Sequence, residues 1–154
     1  MKLAEALSER KALQDRVAAL NNRARKSVVT VEGRPAVESP DILIDDIVKT
    51  LEQWEQLVVA INRANMRIVL EGGMTVMEAL ARRDRLTREI ALLDELMQVI
   101  LGPNHERMGM LPREMARVMP NVNIAQFQNR IETLSNERRT LDLAIQEAGW
   151  VHEV

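Results

Sequence analysis

Arginine interrupts an otherwise apolar helical repeat at three positions, Arg10, Arg83 and Arg138. Each arginine lies four residues after a small or apolar residue, three before a leucine and seven before a valine or isoleucine. The three runs are Ala6–Arg10–Leu13–Val17, Ala79–Arg83–Leu86–Ile90 and Leu134–Arg138–Leu141–Ile145. A buried charge is costly unless it is paired, and a guanidinium fork binds carboxylates and phosphates with two parallel hydrogen bonds. The pattern therefore predicts a polar layer inside or between helical bundles, and it does not predict a reaction.

The predicted layer also draws on the second helix. In an antiparallel four-helix bundle the first and third helices are parallel, so Arg10 and Arg83 would lie at one level. A tight turn at residues 72–73 would bring two asparagines of the second helix beside them. The layer then comprises Arg10, Asn62, Asn65, Arg83, Asp84 and Arg138, with Glu9 and Glu137 as further candidate partners.

Three interpretations of this layer stay open at the level of sequence. It can be a satisfied structural layer that fixes helix register or oligomeric state at some cost in stability. The arginines can instead extend from the edge of the apolar stripe and keep their charged ends in water. Alternatively, converging guanidinium groups can bind a small anion.

No other residue pattern predicts catalysis. The chain has no cysteine, so it has neither disulfides nor a thiolate site. His105 and His152 are isolated and lack metal-ligand spacing, and no glycine-rich phosphate loop is present. We therefore expect no bound catalytic metal, no cofactor and no enzymatic activity.

Four segments show the alternating three- and four-residue spacing of amphipathic helices. The apolar repeats run from Leu3 to Ala24, Ile44 to Ile68, Val76 to Ile100 and Ile124 to Ala148. Helix starts are indicated by Ser39 before Pro40 and by capping residues at Thr75 and Asn123. Gly102 and Gly149 indicate the ends of the third and fourth helices.

The fold prediction is all-α, with four long helices in an up-down-up-down bundle forming a single domain over residues 1–154. Gly72 and Gly73 predict a tight turn between the second and third helices. Residues 28–37 read as a short β-like hairpin, because Val28–Val31 precedes the turn sequence Glu32-Gly33-Arg34. Residues 104–121 form one long connection, and connections of that length are usually functional or used in assembly.

Composition limits the partners. The formal net charge of −2 gives no overall attraction to nucleic acid or anionic membranes. The N-terminal segment carries charges throughout and lacks the apolar core of a secretory signal. No uncharged stretch approaches the roughly 20 residues of a membrane span. We therefore expect a soluble cytoplasmic protein with no nucleic-acid partner and no membrane partner.

Several short runs resemble a bacterial family of small helical proteins without an established activity, some of which carry the name septicolysin. The matching runs are Ile61-Asn62-Arg63-Ala64-Asn65, Ala79-Leu80-Ala81-Arg82-Arg83-Asp84, Val31-Glu32-Gly33, Glu38-Ser39-Pro40 and Gln146-Glu147-Ala148-Gly149-Trp150. The resemblance covers nearly the whole chain, and it implies an α-helical protein. The name implies cytolysis, which the absence of an export signal and of an uncharged span does not favour.

Two functional hypotheses follow. The first is a non-enzymatic, homo-oligomeric helical protein that acts as a structural or interaction module, with the coiled-coil type of packing. Its candidate contacts are Val29, Val31, Met108, Met110, Met115 and Met119. The second is a membrane-acting, cytolysin-like protein whose amphipathic helices rearrange at a bilayer. A small anion at the arginine layer is the one ligand that the pattern allows.

Overall fold

The computed structural model describes residues 1–102 and 119–154, and this part of the chain holds four α-helices and no strands. The helices are α1 (Leu3–Ser27), α2 (Pro40–Arg67), α3 (Val76–Leu101) and α4 (Ile124–Val151). Their lengths are 25, 28, 26 and 28 residues. The four predicted helices are therefore confirmed.

Local signals explain where the helices begin. Pro40 occupies the first turn of α2, where its missing N–H would have no helical acceptor in any case. The Asn123 side chain caps α4 by accepting a hydrogen bond from the backbone N–H of Gln126 at 3.1 Å. At the start of α1, the Glu5 carboxylate accepts the backbone N–H of Lys2 at 2.8 Å.

The chain divides into two compact units. The first unit is Met1–Met77 together with Gln146–Val154, and the second is Glu78–Ile145. The expectation that residues 1–154 form one domain stays a prediction.

In the first unit, α1 packs against α2 along the predicted three- and four-residue spacing. The buried residues of α1 are Leu3, Ala6, Leu13, Leu20, Ala24 and Ser27. Leu20 and Ala24 pack near the start of α2, against Leu43, whereas Leu13 shares a cleft with Ala60. The two helices therefore run antiparallel, and the predicted stripe on α1 is confirmed.

The buried face of α2 differs from the predicted one. Thr50 is buried, and its hydroxyl donates a hydrogen bond to the Asp46 carbonyl at 2.7 Å. That bond satisfies the hydroxyl, so threonine can occupy a core position of the helix. Ile44 and Leu51, which belonged to the predicted stripe, are 45 % and 44 % exposed. In the first half of α2 the buried face is thus rotated by about one residue, whereas Ile61 and Ile68 of the predicted stripe are buried. A second apolar face of α2 faces water.

The expected β-like hairpin over residues 28–37 is not found, because this segment forms a turn without strand pairing. The Arg34 N–H donates to the Val31 carbonyl at 2.9 Å, and Gly33 adopts φ +79°. Val29 and Val37 are 78 % and 99 % exposed, so neither arm has a buried face. Pro35 also removes one ladder donor. Alternating valines without a surface to cover do not suffice to pair two strands.

The tight turn between α2 and α3 is confirmed. Gly72 and Gly73 adopt φ of 101° and 83°, a region that other residues enter only with strain. The Val76 N–H donates to the Ile68 carbonyl at 2.9 Å. The turn therefore brings Ile68 level with Val76, as predicted.

Gly149 does not end α4, which continues to Val151. Gly149 is buried, and a Cβ atom placed on it would lie 3.6 Å from the Ala4 Cβ and 3.8 Å from the Ala4 backbone nitrogen. The glycine thus serves a close approach between α4 and the start of α1 instead of a helix end. Its sequence signal is the same in both roles, which explains the wrong prediction.

The last residues of the chain close the first unit. The Leu3 N–H donates to the His152 carbonyl at 3.0 Å, and the Val154 N–H donates to the Met1 carbonyl at 3.1 Å. A guanidinium nitrogen of Arg67, at the end of α2, donates to the Glu153 carbonyl at 2.9 Å. The C-terminal segment therefore ties together the beginning of α1 and the end of α2.

The packing at Gly149 can be tested by substitution. Gly149→Ala should leave stability unchanged or raise it by up to about 1 kcal/mol, because alanine favours the helix and its Cβ fits. Gly149→Leu should destabilise by about 1–3 kcal/mol through overpacking. Chemical denaturation measures both, with Ala125→Leu on the exposed surface of α4 as the control. Equal stability of the alanine and leucine variants would contradict the close approach.

Candidate functional site

A ladder of ion pairs between α3 and α4 involves Arg82, Arg83 and Arg130. Arg82 Nε donates to Glu137 Oε1 at 2.8 Å. About two turns further along α3, the Glu89 carboxylate pairs with Arg130 of α4 at 3.1 Å. Because the later residue of α3 pairs with the earlier residue of α4, the two helices run antiparallel. These ion pairs form only in one register of α3 against α4, so they favour that register.

Arg83 is the predicted layer residue whose partners are clearest. It donates to Asp84 Oδ1 from Nη2 at 3.0 Å and from Nε at 3.2 Å, and its Nε lies 3.9 Å from Asp142 Oδ1. The exposed fractions of the three side chains are 36 %, 64 % and 40 %. Arg83 is therefore a half-buried cation facing two solvated carboxylates.

Glu89 is the most shielded carboxylate of the ladder, with a side chain 25 % exposed. One oxygen accepts a hydrogen bond from Arg85, four residues earlier on α3, at 2.5 Å. The other accepts from Arg130 of α4 at 3.1 Å. One carboxylate thus bridges two helices, and its charge is balanced by two guanidinium groups.

The other predicted layer residues are described within their own units. In the first unit Arg10 and Asn65 are half-buried and Asn62 is exposed, and in the second unit Arg138 is half-buried. Within the described chain, neither Arg10 nor Arg138 makes an ion pair or a side-chain hydrogen bond. All six predicted residues keep contact with water, and their convergence into one layer stays a prediction.

The three candidate carboxylate partners of the layer differ in what they contact. Asp84, a candidate partner of the layer arginines, pairs with Arg83. Glu137 pairs with Arg82, the neighbour of the repeat arginine, instead of a repeat arginine. Glu9 lines an open cleft between α1 and α2 together with Leu13 and Leu57.

The candidate oligomer contacts are exposed wherever the structure describes them. Val29, Val31 and Met119 are 78 %, 68 % and 68 % exposed. Met108, Met110 and Met115 lie outside the described residues. Exposure leaves these side chains available for contact but does not identify a partner.

Other chemistry-bearing groups are scattered. Residues 1–102 and 119–154 hold no group of three or more histidine or carboxylate side chains arranged around a common metal position. Among the same residues, no helix combines the length and the apolar character needed to cross a membrane. The Trp54 indole Nε1 is buried without a hydrogen-bond partner in this part of the chain. His152 is exposed, and His105 lies outside the described residues.

One ion pair of the first unit shifts two pKa values. The Nε of Arg23 on α1 lies 3.1 Å from both carboxylate oxygens of Glu38, just before α2. The hydrogen bond from Arg23 holds the pKa of Glu38 below its ordinary value of 4.5. The same hydrogen bond, followed by the attraction of the carboxylate, raises the pKa of Arg23. The pair joins the last part of α1 to the end of the connection between α1 and α2 (residues 28–39, the 28–39 connection).

Sequence reasoning missed Arg82, Arg130, Glu89 and Asp142 as partners across α3 and α4. The i, i+4 spacing of Arg85 and Glu89 is a readable signal. The contacts between helices leave no such signal in the sequence, because they depend on the register of α3 against α4. The exposed apolar face of α2 was also missed, since two of its residues, Ile44 and Leu51, were assigned to the core.

Comparisons with known proteins place the chain in a family. Residues 10–154 match the Family of unknown function (DUF6847), and the chain belongs to it. It is similar to a solved structure described as that of a functionally unknown conserved protein from Corynebacterium diphtheriae. That similarity has 27 % sequence identity and a TM-score of 0.81, and it covers 97 % of this chain and 95 % of the other. No curated protein matches.

The Arg23–Glu38 pair predicts a pH effect. Because the folded pKa of Glu38 is lowered, its contribution to stability is present above 4.5 and is lost as the pH falls through the folded pKa. Between pH 7 and pH 3 the native chain should therefore lose more thermal stability than Glu38→Gln does. Glu32→Gln, on the same connection, is the control and should behave like the native chain. Identical pH profiles for all three proteins would show that the pair contributes nothing.

The Glu89 bridge predicts a salt effect. Glu89→Gln should destabilise by about 1 kcal/mol at low ionic strength, because it removes the charge that two arginines share. The difference from the native chain should shrink in high salt, where partly exposed charges are screened. Glu95→Gln, at an exposed position of the same helix, is the matched control in urea titrations. A loss of stability that salt does not change would contradict an electrostatic role.

Proposed function

We propose that this member of the family is a non-enzymatic helical protein that assembles with further copies of itself and serves as a structural or interaction module. The observation that supports this most directly is the apolar surface of the 28–39 connection. Val29, Val31 and Val37 are 78 %, 68 % and 99 % exposed, and Val28 before them is 54 % exposed. A cluster of exposed aliphatic side chains is typical of a contact surface.

The non-enzymatic part of the proposal rests on the chemistry of the side chains. The chain has no cysteine and only two histidines, so the usual nucleophiles and bases are scarce. Arg82 and Arg83 already face carboxylates, which leaves little uncompensated positive charge there for a substrate anion. An ion-pair ladder of this kind supports register between helices.

The proposal includes the up-down-up-down arrangement, coiled-coil packing and a cytoplasmic location. The antiparallel direction of α1 and α2, the tight turn before α3 and the antiparallel direction of α3 and α4 are consistent with that topology. The three- and four-residue spacing of the buried residues of α1 is consistent with coiled-coil packing.

Two alternatives remain as hypotheses. A cytolysin-like protein would be consistent with the septicolysin name carried by proteins that the chain resembles. Its helices would have to act at the bilayer surface, since none of those described could cross a membrane. An anion-binding bundle would use the repeat arginines; Arg10 in the first unit and Arg138 in the second each lack an ion-pair partner in the described chain.

The assembly proposal is tested by multi-angle light scattering across micromolar concentrations. We expect a mass of at least twice 17.5 kDa, and we expect the double variant Val29→Asp, Val31→Asp to shift it toward the monomer. Leu143→Asp, at an exposed position of the second unit, is the control. A monomeric mass at every concentration would contradict the proposal. Dye release from liposomes at these concentrations would favour the cytolysin-like alternative.

A further inference from the structure

The second apolar face of α2 forms a stripe along one side of the helix. Its members are Ile44, Val48, Leu51, Val59 and Met66, which are 45 %, 48 %, 44 %, 40 % and 55 % exposed. They follow a helical spacing of three and four residues, interrupted at Glu55 and Asn62. At 1.5 Å per residue the stripe is about 33 Å long. It lies beside the face that packs on α1, so α1 leaves it uncovered.

A shallow groove borders this stripe, and the negative and positive side chains that line it lie at opposite ends. Glu52, Glu55, Gln56, Val59 and Arg63 line it. The two carboxylates lie toward the start of α2, Arg63 lies toward its end, and the apolar Val59 lies between them. Glu52 and Arg63 are eleven residues apart, close to three helical turns, so they share one side of the helix.

The same polarity extends over the whole helix. All five acidic residues of α2 lie at or before Glu55, and its only later charges are Arg63 and Arg67. Arg67 already has a hydrogen-bond partner, because it donates to the Glu153 carbonyl. Among the described residues Glu52 and Arg63 make no ion pair. A charge of each sign is thus available beside the stripe.

We propose that a second copy of this chain docks on the α2 stripe in the antiparallel direction, with Glu52 of each copy facing Arg63 of the other. A two-fold axis near the middle of α2 would make this contact self-complementary. Antiparallel helices place the same flank of each helix face to face, so the acidic half of one meets the basic half of the other. A parallel pair would instead oppose like charges. The inference rests on the proposed self-assembly and adds α2 to the 28–39 connection as a contact surface.

The charge pattern selects a second copy over other occupants. An anionic membrane or a nucleic acid would require a basic border, whereas this border carries both signs. A partner must present an apolar stripe with acids at one end and a base at the other. The α2 helix of another copy has that pattern.

The length of the stripe sets the expected affinity. A contact between two single helices is small compared with standard interfaces of about 800 Å² per partner, and small interfaces are typical of weak, reversible association. We therefore expect a dissociation constant in the micromolar range. Sedimentation equilibrium of the full chain covers that range.

The apolar stripe is tested with Leu51→Glu. This change should raise the dissociation constant by about tenfold or more, because it places an unpaired charge in the contact. The matched control is Ile42→Glu, an equally drastic change at a position 63 % exposed on a different side of α2. Circular dichroism should show native helicity in both, since each side chain contacts water. Equal dissociation constants for Leu51→Glu and the native chain would overturn the proposal.

The antiparallel direction is tested with charge reversal. Arg63→Glu alone and Glu52→Arg alone should each weaken self-association by about three- to tenfold, because each opposes like charges. An equimolar mixture of the two variants should associate as strongly as the native chain, since every pair across the interface is then of opposite sign. A mixture that associates no better than either variant alone would overturn the proposal.

These outcomes separate the interface from the assembly itself. If the native chain oligomerises and only the Val29→Asp, Val31→Asp variant dissociates it, the α2 interface is wrong and the proposed function stands. If the native chain is a monomer throughout, both fail.

Discussion

The close packing of α1 on α2 is the constraint on which the first unit depends. Leucine and alanine recur on α1 at three- and four-residue intervals, so the two backbones can pack along the length of α1. The C-terminal segment then closes the open end of the pair, because the Leu3 and Val154 N–H groups find acceptors in each other's segments. Gly149 permits this closure, since it lets α4 approach Ala4. With only two tryptophans and one phenylalanine in the chain, the buried core of this unit consists of aliphatic side chains.

Helix boundaries could be predicted from sequence wherever a local chemical signal defines them. The starts at Pro40 and Ile124 follow from a proline and an asparagine whose roles involve only neighbouring residues. The choice between the two apolar faces of α2 could not be predicted in this way. Leu43 and Ile44 are nearly equal in hydrophobicity, and only the position of α1 decides which is buried. Gly149 illustrates the same limit, because a glycine near a helix end is compatible with a cap and with a close contact.

At the candidate site, too, residue types could be read from the sequence, whereas the register between helices could not. The sequence named Asp84 as a candidate partner for the layer arginines, and it pairs with the adjacent Arg83. It did not identify the partners across α3 and α4, because Arg82 and Glu137 are 55 residues apart in sequence. It also left open whether the repeat arginines are buried in a structural layer, reach water from the edge of the stripe or bind an anion. In the structure the long arginine side chains reach water from half-buried positions, which lowers the cost of their charge without requiring a ligand.

The charges of this chain act between helices in two different ways. On α3 and α4 they are paired within one chain, so they stabilise a register that already exists. On α2 the acids and Arg63 are separated along the helix, so no fold of a single copy brings Glu52 and Arg63 together. Straight helices cannot fold back on themselves, and three turns separate the two side chains. A helix that runs in the opposite direction and carries the complementary pattern would pair both charges and cover the apolar stripe. The α2 helix of another copy has that pattern, and this is the physical basis of the proposed self-association.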